Sequence, residues 1–186
     1  LTREPPLDRE LLTAACERAA VLTVEPLAAS VREAVDLGLS GEPGERKMIA
    51  AERVVTLPQM HESPGYRAAT HAEQALGVVR GVTVESTGRE NHGSLFSRLY
   101  DAWVTVMGLV DVPLSIDASL AGKVDPRDDL RAITGTMAAH ARTPSGAAVT
   151  LMVSDRAGRT RRRLHAVGDA GEFRVDDVSY ELVRSD

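Results

Sequence analysis

The sequence predicts an α+β fold: a mostly antiparallel β-sheet with helices on one face and the other face free for dimerisation. Three observations carry this. Helical apolar spacing dominates the first part of the chain, alternating strands joined by turn-type tetrads fill the last part, and one strongly apolar helix, Gly93 to Leu109, sits between them.

Taken in order, Asp8 is positioned to cap a first helix with Leu11, Leu12, Ala15, Cys16 and Ala19 on its apolar face, and Glu10 lies in its first turn. Val21 to Val24 reads as a short buried strand. Pro26 opens a second helix with Leu27, Val31, Ala34 and Val35 on one side, which Gly38, Gly41 and Gly44 end. Met48 to Leu57 reads as a strand. Ser63 and Pro64 fit the N-cap and first position of a third helix, whose small-residue face is Ala68, Ala69, Ala72, Ala75 and Leu76. Val78 to Glu85 alternates as a strand. In the helix that follows, Leu95, Leu99, Ala102, Val106 and Leu109 share a face.

Beyond it, Pro113 to Leu120, Leu130 to Arg142, Ala147 to Ser154, Arg161 to Val167 and Glu172 to Val175 read as strands. Val178, Tyr180 and Leu182 mark a last one. Thr143-Pro144-Ser145-Gly146 and Gly168-Asp169-Ala170-Gly171 supply hairpin turns. Consecutive hairpins imply antiparallel pairing.

The chain has 186 residues, 43% hydrophobic and 26% charged, enough for a substantial core. A net charge of -5 argues against a nucleic-acid binder. With Cys16 alone, no internal disulfide forms, which fits a reducing compartment and a cytoplasmic location. No apolar run approaches the ~18 residues of a membrane span, and the start LTREPPLDRE lacks a leader's apolar segment, so no membrane partner is expected. The five histidines show no ligand spacing, so no metal site is expected. Glycine spacing offers no dinucleotide loop or P-loop. Arg159, Arg161, Arg162 and Arg163 form a basic run, read as a solvated or edge-protecting strand.

The helix from Gly93 also carries a polar line, Ser94, Ser97, Asp101 and Thr105, with Arg98 beside Asp101. One reading is a solvated edge with an Arg98–Asp101 pair at i,i+3. The other is the wall of a ligand pocket. The preceding loop, Arg89 to Ser94, could present backbone amides to an anion or to sugar hydroxyls, or serve only to cap the helix. The candidate substrate-binding residues are therefore Asn91, His92, Ser94, Ser97, Arg98 and Tyr100.

Several motifs together resemble the glucose–fructose oxidoreductase / inositol dehydrogenase / MocA family of nicotinamide-dependent oxidoreductases. Glu4-Pro5-Pro6-Leu7 is similar to the family's Glu-Lys-Pro-Leu motif, Gly93 to Gly108 to the glycine-rich start of its active-site helix, and Gly146 to Val153 and Arg163 to Val175 to its closing hairpins. The resemblance implies that residues 1–25 are a remnant of a nucleotide-binding Rossmann domain. Residues 26–186 would be the C-terminal substrate-binding and oligomerisation domain. It implies NAD or NADP as cofactor of a full-length protein acting on a sugar- or cyclitol-like alcohol, and a homo-oligomer joined through the sheet face.

The departures are equally specific. Pro5 stands where the family has its catalytic lysine, Asp101 where it has its histidine, Ser97 and Val104 where it has aspartates. Proline cannot donate a proton. Asp101 is the remaining candidate catalytic residue, as a general base. A non-catalytic relative serving as a small-molecule-binding or dimerisation module is the alternative.

Because the chain contains neither the glycine loop nor the ribose-binding acid, it is expected not to bind NAD(P) by itself. Cofactor fluorescence titration checks this, and micromolar binding would overturn it.

Overall fold

In the computed structural model the described residues are 9–23, 26–37, 39, 53–57, 59–69, 73–123 and 130–184. The chain divides into two compact units, Leu1–Leu57 and Pro58–Asp186.

The first unit holds α1 (Arg9–Arg18), β1 (Val21–Thr23), α2 (Val31–Asp36) and β2 (Val54–Thr56). β1 and β2 pair in parallel, Val21 opposite Val54. Leu12, Cys16 and Leu37 form a small core with Leu27, Ala28 and Val54 against it. Cys16 is a core residue, as its type suggests. Leu11 is 64% exposed, because the face is centred on Leu12 and Cys16 and Leu11 lies a step round the helix. The second helix does not begin at Pro26. It begins after Ser30, whose hydroxyl accepts the Glu33 N–H at 3.1 Å while the Glu33 carboxylate accepts the Ala29 N–H at 2.7 Å. Asp8, Val24, Gly38, Gly41, Gly44 and residues 48–52 lie outside the described residues.

The second unit is built on a seven-stranded sheet. Its strands are β3 (Val79–Arg89), β4 (Ser115–Lys123), β5 (Thr134–Arg142), β6 (Ala148–Ser154), β7 (Arg156–Gly168), β8 (Gly171–Asp176) and β9 (Tyr180–Arg184). The order is β4-β5-β6-β3-β7-β8-β9. All neighbours are antiparallel except β3 and β6, which run parallel, so the fold is α+β with a mostly antiparallel sheet. The parallel pair arises because β3 precedes the helix and β6 returns beside it, a long-range pairing that hairpin signals do not announce.

Among the described residues this unit has two α-helices, α3 (Pro64–Ala69) and α4 (Leu95–Met107), and three short 3-10 turns, Glu73–Leu76, Glu90–His92 and Leu130–Ala132. Ser63 caps α3, its hydroxyl accepting the Tyr66 N–H at 3.3 Å. α4 packs on β3, β5 and β6. Strand alternation puts Val82 and Val84, Val149, Leu151 and Val153, Leu164 and Ala166, and Phe173 and Val175 on the helix side, where all are buried with Leu95, Ala102 and Val106. Each valine, leucine or phenylalanine among them contributes roughly 1.5–3 kcal/mol on leaving water.

The opposite face carries Thr83, Glu85, His140, Thr150, Met152, Arg161, Arg163 and Arg174. Thr136, Thr150 and Met152 therefore point to this open face, whereas Met137, Val149 and Leu151 point inward. The basic run does not protect an edge. β7 lies between β3 and β8, and Arg159, Arg161 and Arg163 are exposed while Arg162 turns inward.

No described helix is long and apolar enough to cross a membrane. Phe173 is wholly buried where β8 meets the helix layer. Phe173→Ala is expected to cost about 3–5 kcal/mol in urea-induced unfolding without altering the urea dependence.

Candidate functional site

The head of α4 is fixed by its cap. Ser94 accepts the Ser97 N–H at 3.0 Å, and Gly93, at φ +123°, turns the chain into the helix in a conformation that favours glycine. Four residues along, the polar line meets the sheet instead of water. Ser97, Arg98, Asp101 and Thr105 are all buried. The solvated-edge reading is thus replaced by a buried polar line, and the i,i+3 partnership gives way to longer-range ones.

Asp101 is 5% exposed. One carboxylate oxygen accepts the Met60 N–H at 2.9 Å, and the other lies 3.8 Å from Arg162 Nε. Burial pushes the Asp101 carboxyl above its ordinary range. The Met60 N–H, Arg162 and His61 pull the other way, and Asp177 adds to the rise. Thr105 is satisfied within the helix, its hydroxyl donating to the Asp101 carbonyl at 2.8 Å.

Arg162 comes from β7, on the same inward phase as Leu164 and Ala166. Its guanidinium holds Asp177 at 3.2 Å and also donates to the Gln59 side-chain oxygen. Arg98 reaches back over the end of β3, where Nη2 donates to the His92 carbonyl at 3.1 Å and lies 3.4 Å from the Arg89 carbonyl. A Cβ at Gly88 would overlap this guanidinium, so a side chain there would require Arg98 to move. Burial lowers the Arg98 pKa, and the nearby Arg162 charge lowers it further.

Together these groups enclose a small cavity lined by Gln59, Ser86, His92, Gly93, Ser97, Arg98, Asp101 and Arg162. Its volume is about 10 Å3, room for the centre of roughly one water molecule. Of the residues singled out from sequence, His92, Ser97, Arg98 and Asp101 meet here. Ser94 is the helix cap. Asn91 is exposed, and neither it nor Tyr100 lines the cavity. His92 is exposed on its other side, where Nδ1 shares a hydrogen bond with Thr160 at 3.3 Å.

Sequence reasoning missed Gln59, Ser86 and Arg162. Two of them carried a signal. Ser86 is in phase with Val82 and Val84, and Arg162 with Leu164 and Ala166, so each is a polar residue on a buried strand face. Gln59 carried none. Among the described residues no group of three or more His, Cys, Asp or Glu could hold a metal ion.

No family model matches the chain, and no curated protein matches it. Solved structures do. The myo-inositol dehydrogenase of Corynebacterium glutamicum ATCC 13032 is similar at 17% identity and TM-score 0.66, over 90% of this chain and 53% of that one. Levoglucosan dehydrogenase, solved with NADH and levoglucosan, is similar at 13% identity and TM-score 0.69, over 98% and 60%. The biliverdin reductase of Synechocystis sp. PCC 6803, solved with biliverdin and NADP+, is similar at 13% identity and TM-score 0.64, over 95% and 58%. The chain therefore spans little more than half the length of the structures it matches. Its structural neighbours are oxidoreductases of the glucose–fructose oxidoreductase / inositol dehydrogenase / MocA type, the type its motifs resemble, and it shares their fold.

Proposed function

We propose that this chain is the substrate-side part of an NAD(P)-dependent oxidoreductase-like protein acting on a sugar- or cyclitol-like alcohol. The observation that carries the reading is Asp101. It is an acid on the first turns of the apolar helix, buried against a polar cavity, in a fold shared with dehydrogenases of inositol and levoglucosan. A carboxylate held above its ordinary pKa is suited to accept a hydroxyl proton while a hydride leaves the same carbon. Ser97 and His92 would orient neighbouring hydroxyls. The cofactor would be supplied by a nucleotide-binding domain to which residues 1–25 belong.

A specific observation favours a second reading, a non-catalytic binding module. Both Asp101 oxygens already face protein donors, the cavity is nearly filled by Gln59 and its neighbours, and Pro5 replaces the lysine. Calorimetric titration with myo-inositol and with levoglucosan tests the first reading. Binding that weakens at least tenfold in Asp101→Leu supports it, and absence of binding to either polyol overturns it. Turnover with NAD+ then separates enzyme from module.

The raised Asp101 pKa has a consequence for stability. An acid whose folded pKa lies above its unfolded value stabilises the fold below the unfolded value, 3.8, and loses that contribution as pH rises through the folded one. Asp101→Asn lacks this loss. Urea unfolding at steps from pH 4 to 7 should show wild type losing stability relative to the variant as pH rises, and a constant difference would contradict it.

We also propose that two copies pair through the open sheet face, where Thr150 and Met152 lie among charges of both signs, Glu85, Arg161 and Arg163. Light scattering at micromolar concentration should give a dimer or larger form. Met152→Arg should shift it to monomer, and a monomeric wild type would rule the pairing out.

A further inference from the structure

We propose that the cavity at the head of α4 is a binding site for a compact monovalent anion, held by Arg98 Nε and the Ser86 hydroxyl. This goes beyond the oxidoreductase reading and stands whether or not the protein transfers hydride.

The first observation is a buried cation without a counter-charge beside it. Arg98 is 4% exposed, and its hydrogen bonds go to the neutral carbonyls of Arg89 and His92. Its Nε is fully buried and has no protein partner. Among the described residues no carboxylate lies within 4.0 Å of it, and Asp101 and Asp155 act on it only from farther away. Arginine cannot shed its proton to escape burial, so a neutral form is no remedy. Such a group is costly unless something negative approaches it.

The second observation is Ser86. It is 2% exposed, lines the same cavity, and its hydroxyl also lacks a protein partner. Two unpaired buried polar groups thus border one space, and both can donate.

The carboxylates around them are engaged by other groups or lie out of ion-pair reach of Arg98. Arg162 faces Asp101 and Asp177. Asp155 accepts the Gly135 N–H at 2.8 Å and lies 3.5 Å from Arg156. Asp101 is spoken for by Met60 and Arg162. These pairings leave no carboxylate within 4.0 Å of Arg98 among the described residues, and Asp155, whose Oδ2 is itself buried without a partner, acts on it only from beyond that distance. The Arg162 charge next to it makes a negative guest more favourable still.

Size sets the class. Room for roughly one water-sized centre admits a halide ion, or one oxygen of a carboxylate reaching in from a small organic acid. It does not admit the four oxygens of phosphate or sulfate. A water molecule would fill the space and satisfy the donors, but it would bring no charge.

The test is thermal unfolding of the whole chain in sodium chloride, sodium formate and sodium methanesulfonate at equal ionic strength. The bulky methanesulfonate serves as the excluded anion. Chloride or formate should raise the midpoint by about 3 °C and saturate. A rise with both identifies a general small-anion site. A rise with formate alone identifies the carboxylate of an organic ligand as the guest. Ser86→Ala, which removes one oxygen and keeps the strand's Cβ, should remove most of the increment, and so should Arg98→Gln. In 35Cl NMR, chloride should be broadened by wild type and not by Ser86→Ala, a readout that stands even if Arg98→Gln fails to fold. Equal midpoints in all three salts, or an increment that survives in Ser86→Ala, would overturn the proposal.

Discussion

The carboxylate of Asp101 is the point where three separate pieces of the second unit are tied together. It receives the backbone of Met60, faces Arg162 from β7, and belongs itself to α4. An acid buried alone in such a place would be expelled or neutralised. Here it is retained because a backbone donor and a guanidinium meet it, and because Asp177 and Gln59 in turn occupy the rest of Arg162. The arrangement is a chain of mutual requirement. Removing Arg162 would leave Asp101 and Asp177 facing each other, and removing Asp101 would leave the Met60 N–H without its acceptor. Buried pairs of this kind add little net stability, and losing one partner is what costs.

That cluster exists only because the sheet is in register. On β3 the inward positions run Val82, Val84, Ser86, and on β7 they run Ala166, Leu164, Arg162, each opposite its partner. The same alternation that builds the core therefore delivers a hydroxyl and a guanidinium to the end of it, under the head of α4. A slip of one residue would send Arg161 and Arg163 inward and Leu164 into water. The apolar part of the pattern thus guards the polar part.

Much of this was legible before the structure. The sequence marked Ala147 to Ser154 as a strand without deciding which of its faces is buried, and the helical spacing from Leu95 to Val106 identified the helix on which the site depends. Ser63 and Pro64 marked the start of α3. Other features were not legible, for physical reasons. The parallel β3–β6 pair joins segments far apart in sequence, so no local turn signals it. The second helix waits for the Ser30 cap, because a proline permits a helix start without requiring one. The basic run was read as one object when the strand period splits it, Arg162 going to the site and Arg161 and Arg163 to the open face. Charge composition describes a stretch, whereas burial is decided residue by residue.

The chemistry left open by these departures is narrow. If the chain acts as the proposed oxidoreductase, Pro5 at the place of the resembled motif's lysine would leave no ammonium there to protonate or polarise a reacting hydroxyl. A proton could then move only to a group already in the cavity. A guanidinium has no acceptor for a proton and a serine hydroxyl is too weak a base, so neither the arginines nor the serines lining the cavity serve. His92 lies at the rim with its Nδ1 engaged by Thr160. Asp101 is therefore the group through which a proton could pass. To do so it must release either the Met60 N–H or the approach of Arg162. Gln59 and Met60 are consecutive, so one displacement of that segment would free a carboxylate oxygen and a guanidinium nitrogen together. Whether a ligand can bring about that displacement is what separates an enzyme on this fold from a module that has closed its site around its own side chains.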